Sequence, residues 1–444
     1  MLQWAALVIT LIILIILMIK KPLWLVPLLA VAVALEVSKT FYPDLGIIGN
    51  LIGEVTLTRF TCIALILAAA FRVIVIPNMR RKLLDVIKDP LTIILLVYLV
   101  LGAISTVYSA DIGRTLIETV RLVILFAVFV SIALLLDKKH FLLPFHAVHI
   151  TALFLVVFAL YEAFSGNHIW QSTELAAHTL RANATFVDPN IFARYIILGI
   201  SANFIIQLYT REKRIRYLCF IGLAVMLAEL VLTGSRGGFV TLAVVLIAAL
   251  ILLPNKKVVL SVIGLGILCG GIILFIRPDI AERLMVLTKG LGVSDPTRLY
   301  LWKAAIAIFT DHPIIGTGLG TFQTVFLSDY AHLKTVADGV TLSHTTVLTI
   351  AAELGIIGLL VLAVLWVTIM GRLYRFYRFE GNYLTIYNNY NSIYEAGAGY
   401  LLWIVTVFIS SQAEGRFFED PMLWLSCACL VMLRMSGKRN IYSD

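Results

Sequence analysis

The sequence predicts an all-α integral membrane protein, a polytopic bundle of about 12–13 transmembrane helices with a structured long outer loop. Of its 444 residues, 61% are hydrophobic and 14% are charged, and the mean hydropathy is +0.98. A soluble globular chain is about 45–50% apolar and about 25% charged. Because a larger core would not need so much apolar surface, we expect the excess to face lipid. The whole chain, 1–444, is then a single transmembrane domain.

Thirteen apolar segments are candidates for spanning helices, each of which needs about 20 mostly apolar residues. The segment 421–435 is short, and the turn at 234–239 is tight. No cleavable signal precedes Lys20, so the first segment is interpreted as a retained anchor. The thirteen candidates are about 2–19, 22–38, 57–77, 90–108, 115–136, 141–164, 190–209, 217–234, 239–254, 258–276, 346–370, 396–413 and 421–435.

Lysine and arginine residues follow every odd-numbered segment, as at Lys20–Lys21, Lys138–Lys139 and Lys438–Arg439. Short cytoplasmic loops of membrane proteins carry an excess of these residues. The pattern predicts an N-terminus outside and a C-terminus in the cytoplasm. It also accounts for the net charge of +9, so we expect no nucleic-acid partner.

The longest outer loop is 277–345, and its composition is not that of a disordered segment. Pro296 suits the first turn of a helix, and His312–Pro313 suits its end, which predicts a helix over about 296–311. A glycine-rich turn follows at 316–320 and includes Gly318. The helix prediction is supported by residues that make one apolar stripe at helical spacing: Leu299, Trp302, Ile306 and Phe309.

The turn Thr233-Gly-Ser-Arg-Gly-Gly238 lies at the predicted outer junction of two spans. Gly237 and Gly238 allow the backbone to approach a ligand closely. The planar guanidinium of Arg236 matches the geometry of a phosphate group. Glu229 lies two helical turns before Arg236, which predicts that it supports this arginine. The alternative is a plain helical hairpin with an arginine reaching to the interface.

Arg298 is near the start of the loop helix, where the helix dipole favours an anion, so it is a candidate to share a diphosphate with Arg236. His344 stands directly before segment 346–370 and is suited to take a proton near neutral pH. Its spacing to Gly355 predicts that the two lie on one helix face, with Glu353 as a supporting residue. The alternatives are a solvated loop charge and an ordinary interfacial histidine.

The segment from Arg181 to Asn190 leads into the seventh span, and Arg194 lies one turn inside it. Both arginines are candidate substrate-binding residues on the outer surface. The alternative is a structural turn, because Asp-Pro-Asn is a good helix start.

The sequence contains no Walker loop, dinucleotide fingerprint or nucleophile elbow, and its predicted cytoplasmic loops are short. The histidines lack metal-site spacing, and the five cysteines are interpreted as core residues. A reaction at the outer face would therefore use an energised substrate already in the membrane.

In order along the chain, these motifs resemble the O-antigen ligase and O-antigen polymerase superfamily of bacterial envelope proteins. The resemblance rests on Phe-Val-Asp-Pro-Asn at 186–190, the turn at 233–238, and Arg-x-x-x-Trp at 298–302. The glycine turn and the His-x10-Gly-x-x-Gly element from His344 complete it. One departure is Thr345, where the ligases often have a side-chain amide or serine.

The resemblance implies a membrane glycosyltransferase that moves a glycan from a polyprenyl diphosphate, such as undecaprenyl diphosphate, to a hydroxyl of an acceptor glycan. The acceptor is the lipid A core of lipopolysaccharide for a ligase, or a lipid-linked repeat for a polymerase. By resemblance, Arg236 and Arg298 bind the diphosphate and His344 is the general base, with inversion and without metal or cofactor.

The implied location is the bacterial cytoplasmic (inner) membrane, with the active site facing the periplasm or exterior. Two alternatives remain open at the level of sequence. One is a protein O-oligosaccharyltransferase, and the other is a transporter or flippase for lipid-linked or anionic solutes.

Overall fold

A computed structural model describes residues 2–43, 55–170, 181–285, 296–335, 343–383, 393–415 and 417–439, and these are helical without any strand. The helices are α1 Leu2–Lys20, α2 Leu25–Ala34, α3 Leu57–Val75, α4 Pro77–Ile87, α5 Pro90–Ser105, α6 Ile112–Leu135, α7 Leu143–Ser165, α8 Pro189–Tyr209, α9 Lys213–Leu232, α10 Arg236–Leu252, α11 Lys256–Ile276, α12 Pro278–Met285, α13 Pro296–Asp311, α14 Phe322–Asp329, α15 Thr346–Tyr383, α16 Ile393–Glu414 and α17 Pro421–Arg439.

Within these residues, nine helices are long and apolar enough to cross a membrane, and α4 with α5 forms one further candidate that bends by 71°. Three shorter apolar helices, at Pro22–Ala34, Arg236–Leu252 and Pro421–Met435, occupy the remaining predicted positions. A helix is therefore present at each of the thirteen predicted segments. The predicted class, an all-α polytopic membrane protein, is confirmed.

The second predicted span, 22–38, is shorter than expected. Its α-helix ends at Ala34, and a 3-10 helix follows at Glu36–Phe41. The backbone N–H of Val37 donates to the carbonyl of Thr185, 3.1 Å away, instead of extending the helix. This loop contact ends α2 early.

The centre of the bundle is α8, whose residues from Phe192 to Gln207 are almost all buried, together with α16 and α17. Trp403 of α16 is fully buried, and its indole N–H donates to the carbonyl of Leu198 at 2.9 Å. In contrast, α1 and α11 are mostly exposed, as expected of lipid-facing helices at the periphery. The central helices position the outer-end residues described below.

Side-chain contacts show that the helix ends form two groups. At one end, Asp89 pairs with Arg372 and, at 2.7 Å, with Arg434. Lys82 donates to the carbonyl of Leu134 at 2.6 Å at the same end. These residues all belong to the end that the basic-loop pattern assigns to the cytoplasm. The opposite group contains the candidate site and is called the outer end, because the basic-loop pattern predicts that it faces outward.

The predicted loop helix is present as α13, but its apolar stripe is not the face that packs against the rest of the protein. Leu299 and Ile306 are exposed, and Trp302 and Phe309 are only half-buried. Both faces are apolar, so periodicity could not choose between them, and the small Ala304 and Ala305 allow a close approach to α15. The buried face consists of Tyr300, Leu301, Ala304, Ala305 and Ile308, packed with Phe322, Phe326 and Ala352. Residues 286–295 and 336–342 of the predicted loop lie outside the described residues.

Candidate functional site

Arg236 opens α10 after a tight hairpin turn at the outer end. Ser235 caps the helix, because its Oγ accepts the N–H of Gly238 at 3.0 Å. A side chain on Gly237 would stand 3.1 Å from the Cβ of Ala413, and one on Gly238 would stand 3.0 Å from the Cβ of Ala193. The two glycines therefore allow α10 to pack closely against α16 and α8, with half-buried Arg236 in the first helical turn.

Arg181 lies at the same turn, where it has a structural role. Its side chain is buried, its Nε donates to the carbonyl of Thr233 at 2.8 Å, and its Nη2 donates to Asn190 Oδ1 at 2.9 Å. A carbonyl after the end of α9 is thereby satisfied. Arg181 thus holds the hairpin to the start of α8.

Arg298 approaches this turn from the loop helix. Its Nη2 donates to the carbonyl of Ala413 at 3.3 Å, and its side chain is half-buried. Ala413 is also the residue against which Gly237 packs. The two arginines predicted to share an anion therefore converge on the last turn of α16.

His344 reaches the same place from the segment before α15. A Cβ built on Gly415 would stand 3.5 Å from the Cα of His344, and Thr345 donates to the carbonyl of Gln412 at 3.3 Å. His344 has a φ of +54°, in the left-handed region that few non-glycine residues occupy. The end of α16 is thus the common neighbour of Arg236, Arg298 and His344.

The prediction that His344 and Gly355 share a helix face is wrong. His344 precedes α15 in a left-handed conformation, and Gly355 interrupts the helix with φ +61° and ψ −156°. No continuous helix joins the two residues, so their spacing does not fix a common face. Gly355 instead contacts the backbone of Ile314.

Glu353 holds the glycine turn of the outer loop. Its carboxylate accepts the N–H groups of Gly320 at 2.8 Å and Phe322 at 3.1 Å, and its carbonyl accepts the N–H of Gly318 at 2.8 Å. Gly318 has a φ of +109° and lies against Ser109, so the turn is wedged between α15 and the α5–α6 connection. The N–H of Gly318 is therefore occupied by a protein carbonyl.

Glu229 does not support Arg236 as predicted. It is fully buried, and neither carboxylate oxygen has a hydrogen-bond partner among the described residues. The prediction that Glu229 and Arg236 share a face assumed one continuous helix through both residues. Instead, α9 ends at Leu232 and the chain turns at Gly234 with φ +55°. Because of this turn, Glu229 and Arg236 do not lie on one helix face.

Two groups of paired charges, one buried around Arg194 and one more exposed around Arg121, were not predicted from the sequence. Arg194 Nη1 contacts Glu414 at 2.8 Å and its Nη2 contacts Asp420 at 3.1 Å, which joins α8, α16 and the start of α17. Arg121 contacts Glu118 at 2.7 Å and Glu419 at 3.6 Å. The only sequence signal was that each charged residue lies near the outer end of a predicted span.

These networks surround a cavity of about 500 Å³ at the outer end. Ser343 and Gly415, which flank His344, form part of its wall, and so do Gly320, Glu353 and Arg194. The candidate residues are therefore arranged around one end of α16, beside a cavity whose wall combines charged and apolar side chains.

Residues 221–363 match the family model described as O-antigen ligase. The match covers about a third of the chain and includes Arg236, Arg298 and His344. A search among curated proteins gave no match. The resemblance to the O-antigen ligase and polymerase superfamily is thus confirmed, and the match supports, in broad terms, a membrane glycosyltransferase of the O-antigen ligase type.

Proposed function

We propose that the protein transfers a glycan from a polyprenyl diphosphate to a hydroxyl of an acceptor glycan at the outer face of the bacterial cytoplasmic membrane. One observation carries the proposal: Arg298, the residue after Arg236 and the backbone of His344 come from three distant segments and all lie against the end of α16. Arg236, Arg298 and His344 are the residues that the family resemblance assigns to diphosphate binding and proton removal.

The two arginines suit the diphosphate of the donor. A guanidinium matches phosphate oxygens with two parallel hydrogen bonds. Arg236 and Arg298 each lie in the first turn of a helix, α10 and α13, where free N–H groups and the helix dipole add to the attraction for an anion. Preorganised positive charge is most effective where negative charge develops in the transition state, here on the departing diphosphate.

His344 suits the acceptor hydroxyl. In the reaction, the hydroxyl oxygen forms a bond to the anomeric carbon as the bond from that carbon to the diphosphate oxygen breaks. The hydroxyl proton passes to His344, and the bonding electron pair leaves with the diphosphate. A single displacement of this kind inverts the anomeric centre, and the arginines take the charge-stabilising role that a metal ion has in other transferases.

The acceptor distinguishes the two branches of the superfamily. A lipid A core acceptor would make the protein an O-antigen ligase, and a second lipid-linked repeat would make it a polymerase of surface polysaccharide. Both use the same donor and the same three residues, so the proposal covers both. The product separates them, because a polymerase lengthens the glycan before it leaves the carrier.

The test is glycan transfer in membranes containing His344→Ala, Arg236→Ala or Arg298→Ala. Removing a general base costs about 10²–10⁴ in rate, so His344→Ala is expected to lose transfer while lipid-linked donor accumulates. His332→Ala is the matched control, because this outer histidine is exposed and does not line the cavity. Wild-type transfer by His344→Ala, at equal protein level, would exclude the proposed base.

A further inference from the structure

The segment at the end of α16, residues 413–415, contacts both the cavity and the surroundings of the two arginines. Ala413 contacts Arg298 and Gly237 on one side of that segment. Gly415, two residues later, lines the cavity and stands against His344. His344 therefore lies at the boundary between the arginines and the cavity. A general base must lie at such a boundary if the donor and the acceptor bind on opposite sides of it.

The charges of the cavity do not suit a diphosphate. Carboxylates outnumber arginines along its wall, five to four. Arg121 and Arg194 are paired with carboxylates, so their charge is already compensated. Nor does the cavity suit a lipid chain, because burying an apolar chain beside so many charged groups would desolvate them.

Paired charges do suit the hydroxyl groups of a sugar. Each hydroxyl donates and accepts, and the fixed ion pairs present both donors and acceptors. Arg121 is part of the wall with a side chain 46% exposed, so its remaining N–H groups are accessible. The stacked rings of Tyr98 and Phe418 are among the apolar residues of the wall. A volume of about 500 Å³ lies within the range of sites for small ligands.

We infer that this cavity binds the terminal sugars of the acceptor glycan, uncharged at the part that enters, and presents their hydroxyl to His344. Gln323 is the residue we expect to contribute to acceptor specificity. It lines the cavity at the start of α14, is half-buried, and takes part in no hydrogen bond among the described residues. This inference rests on the proposed transferase function and adds the acceptor subsite to it.

The experiment uses two inhibitors of glycan transfer by the full-length protein. Free oligosaccharide, released by mild acid from the cells' own acceptor, whether lipid A core or lipid-linked repeat, probes the cavity, and inorganic diphosphate probes the arginines. Gln323→Ala is expected to weaken inhibition by the oligosaccharide about three- to tenfold, the effect of one lost hydrogen bond, and to leave inhibition by diphosphate unchanged. Arg298→Ala is expected to weaken inhibition by diphosphate and to leave inhibition by the oligosaccharide unchanged.

Leu327→Ala is the matched control, because Leu327 lies on the same short helix but is exposed and outside the cavity. Gln323→Trp, which fills the cavity, is expected to abolish inhibition by the oligosaccharide. Inhibition should be competitive with the acceptor; competition with the donor alone would overturn the inference. So would unchanged oligosaccharide inhibition in both Gln323 variants. Unchanged diphosphate inhibition in Arg298→Ala would instead overturn the proposed diphosphate site and leave the cavity assignment standing.

Discussion

At the scale of single residues, the arginines of the outer end have two different roles. Arg181 is 4% exposed and bonds to Thr233 and Asn190, while Arg194 is paired with Glu414 and Asp420. Arg236 and Arg298 are half-buried and stand at the starts of helices. The first pair holds the bundle together, and the second pair is the one proposed to bind the diphosphate.

Arg181→Ala should therefore destabilise the fold, and Arg236→Ala should affect transfer instead. Each buried group left unpaired costs about 1–3 kcal/mol, so we expect Arg181→Ala to lower the free energy of unfolding by about 2–4 kcal/mol. Thermal unfolding can be followed with a thiol-reactive fluorophore, since Cys62, Cys427 and Cys429 are buried in the folded protein. A wild-type melting temperature with lost diphosphate inhibition in Arg181→Ala would move this arginine into the ligand site.

At the scale of elements, the break in α15 decides where the outer loop lies. Gly355 leaves the helical conformation, and the N–H of Ile356 donates to the carbonyl of Pro313 at 2.8 Å. Together with the bonds from Glu353 to the glycine turn, this fastens the loop to the outer part of α15. The attachment fixes α13, and with it Arg298, beside the end of α16.

Gly355→Ala is expected to be strongly destabilising. The added Cβ would stand 2.4 Å from the carbonyl oxygen of Ile314, and its φ of +61° is unfavourable for any side chain. We expect a loss of more than about 2 kcal/mol in stability, together with lost transfer. Gly371→Ala on the same helix is the control: nothing lies within 4 Å of its added Cβ, so it should be neutral or stabilising by up to about 1 kcal/mol. Equal melting temperatures for the two variants would contradict this explanation.

At the scale of the whole molecule, the helix ends form two chemically distinct surfaces. The end with Asp89, Arg372 and Arg434 carries the basic connections, and the other end carries the cavity and the candidate site. A donor that reaches the arginines from the membrane would meet them at an interface, where its diphosphate stays near water and its lipid chain stays in the bilayer.

Cysteine labelling tests which end faces outward. Ser328→Cys lies in the exposed outer loop, and Lys139→Cys lies in the exposed connection at the opposite end. In intact cells, a membrane-impermeant maleimide is expected to label position 328 and not 139, because basic connections remain in the cytoplasm. Labelling of 139 in intact cells would reverse the orientation and place the candidate site inside. The unsubstituted protein controls for native cysteines, of which only Cys269 is other than buried.

The sequence by itself determined the class of fold and the positions of the helices. A bilayer accepts only long apolar helices or closed barrels, so hydropathy alone locates the spans, and Pro296 and Pro313 bound the loop helix. It also supplied Arg236, Arg298 and His344, because their motifs are local. The family match over 221–363 confirms the resemblance that those motifs indicated.

Only the tertiary structure decided how these residues are grouped. The contact between Arg194 and Glu414 joins positions 220 residues apart, and no local pattern specifies such a contact. The anchoring face of α13 depended on the neighbouring helix, because both of its faces are apolar. The expected support of Arg236 by Glu229 failed because one turn at Gly234 separates two helices that spacing alone had treated as one. The cavity beside His344 exists for the same reason: its wall is assembled from helix ends, and their meeting depends on packing across the whole bundle.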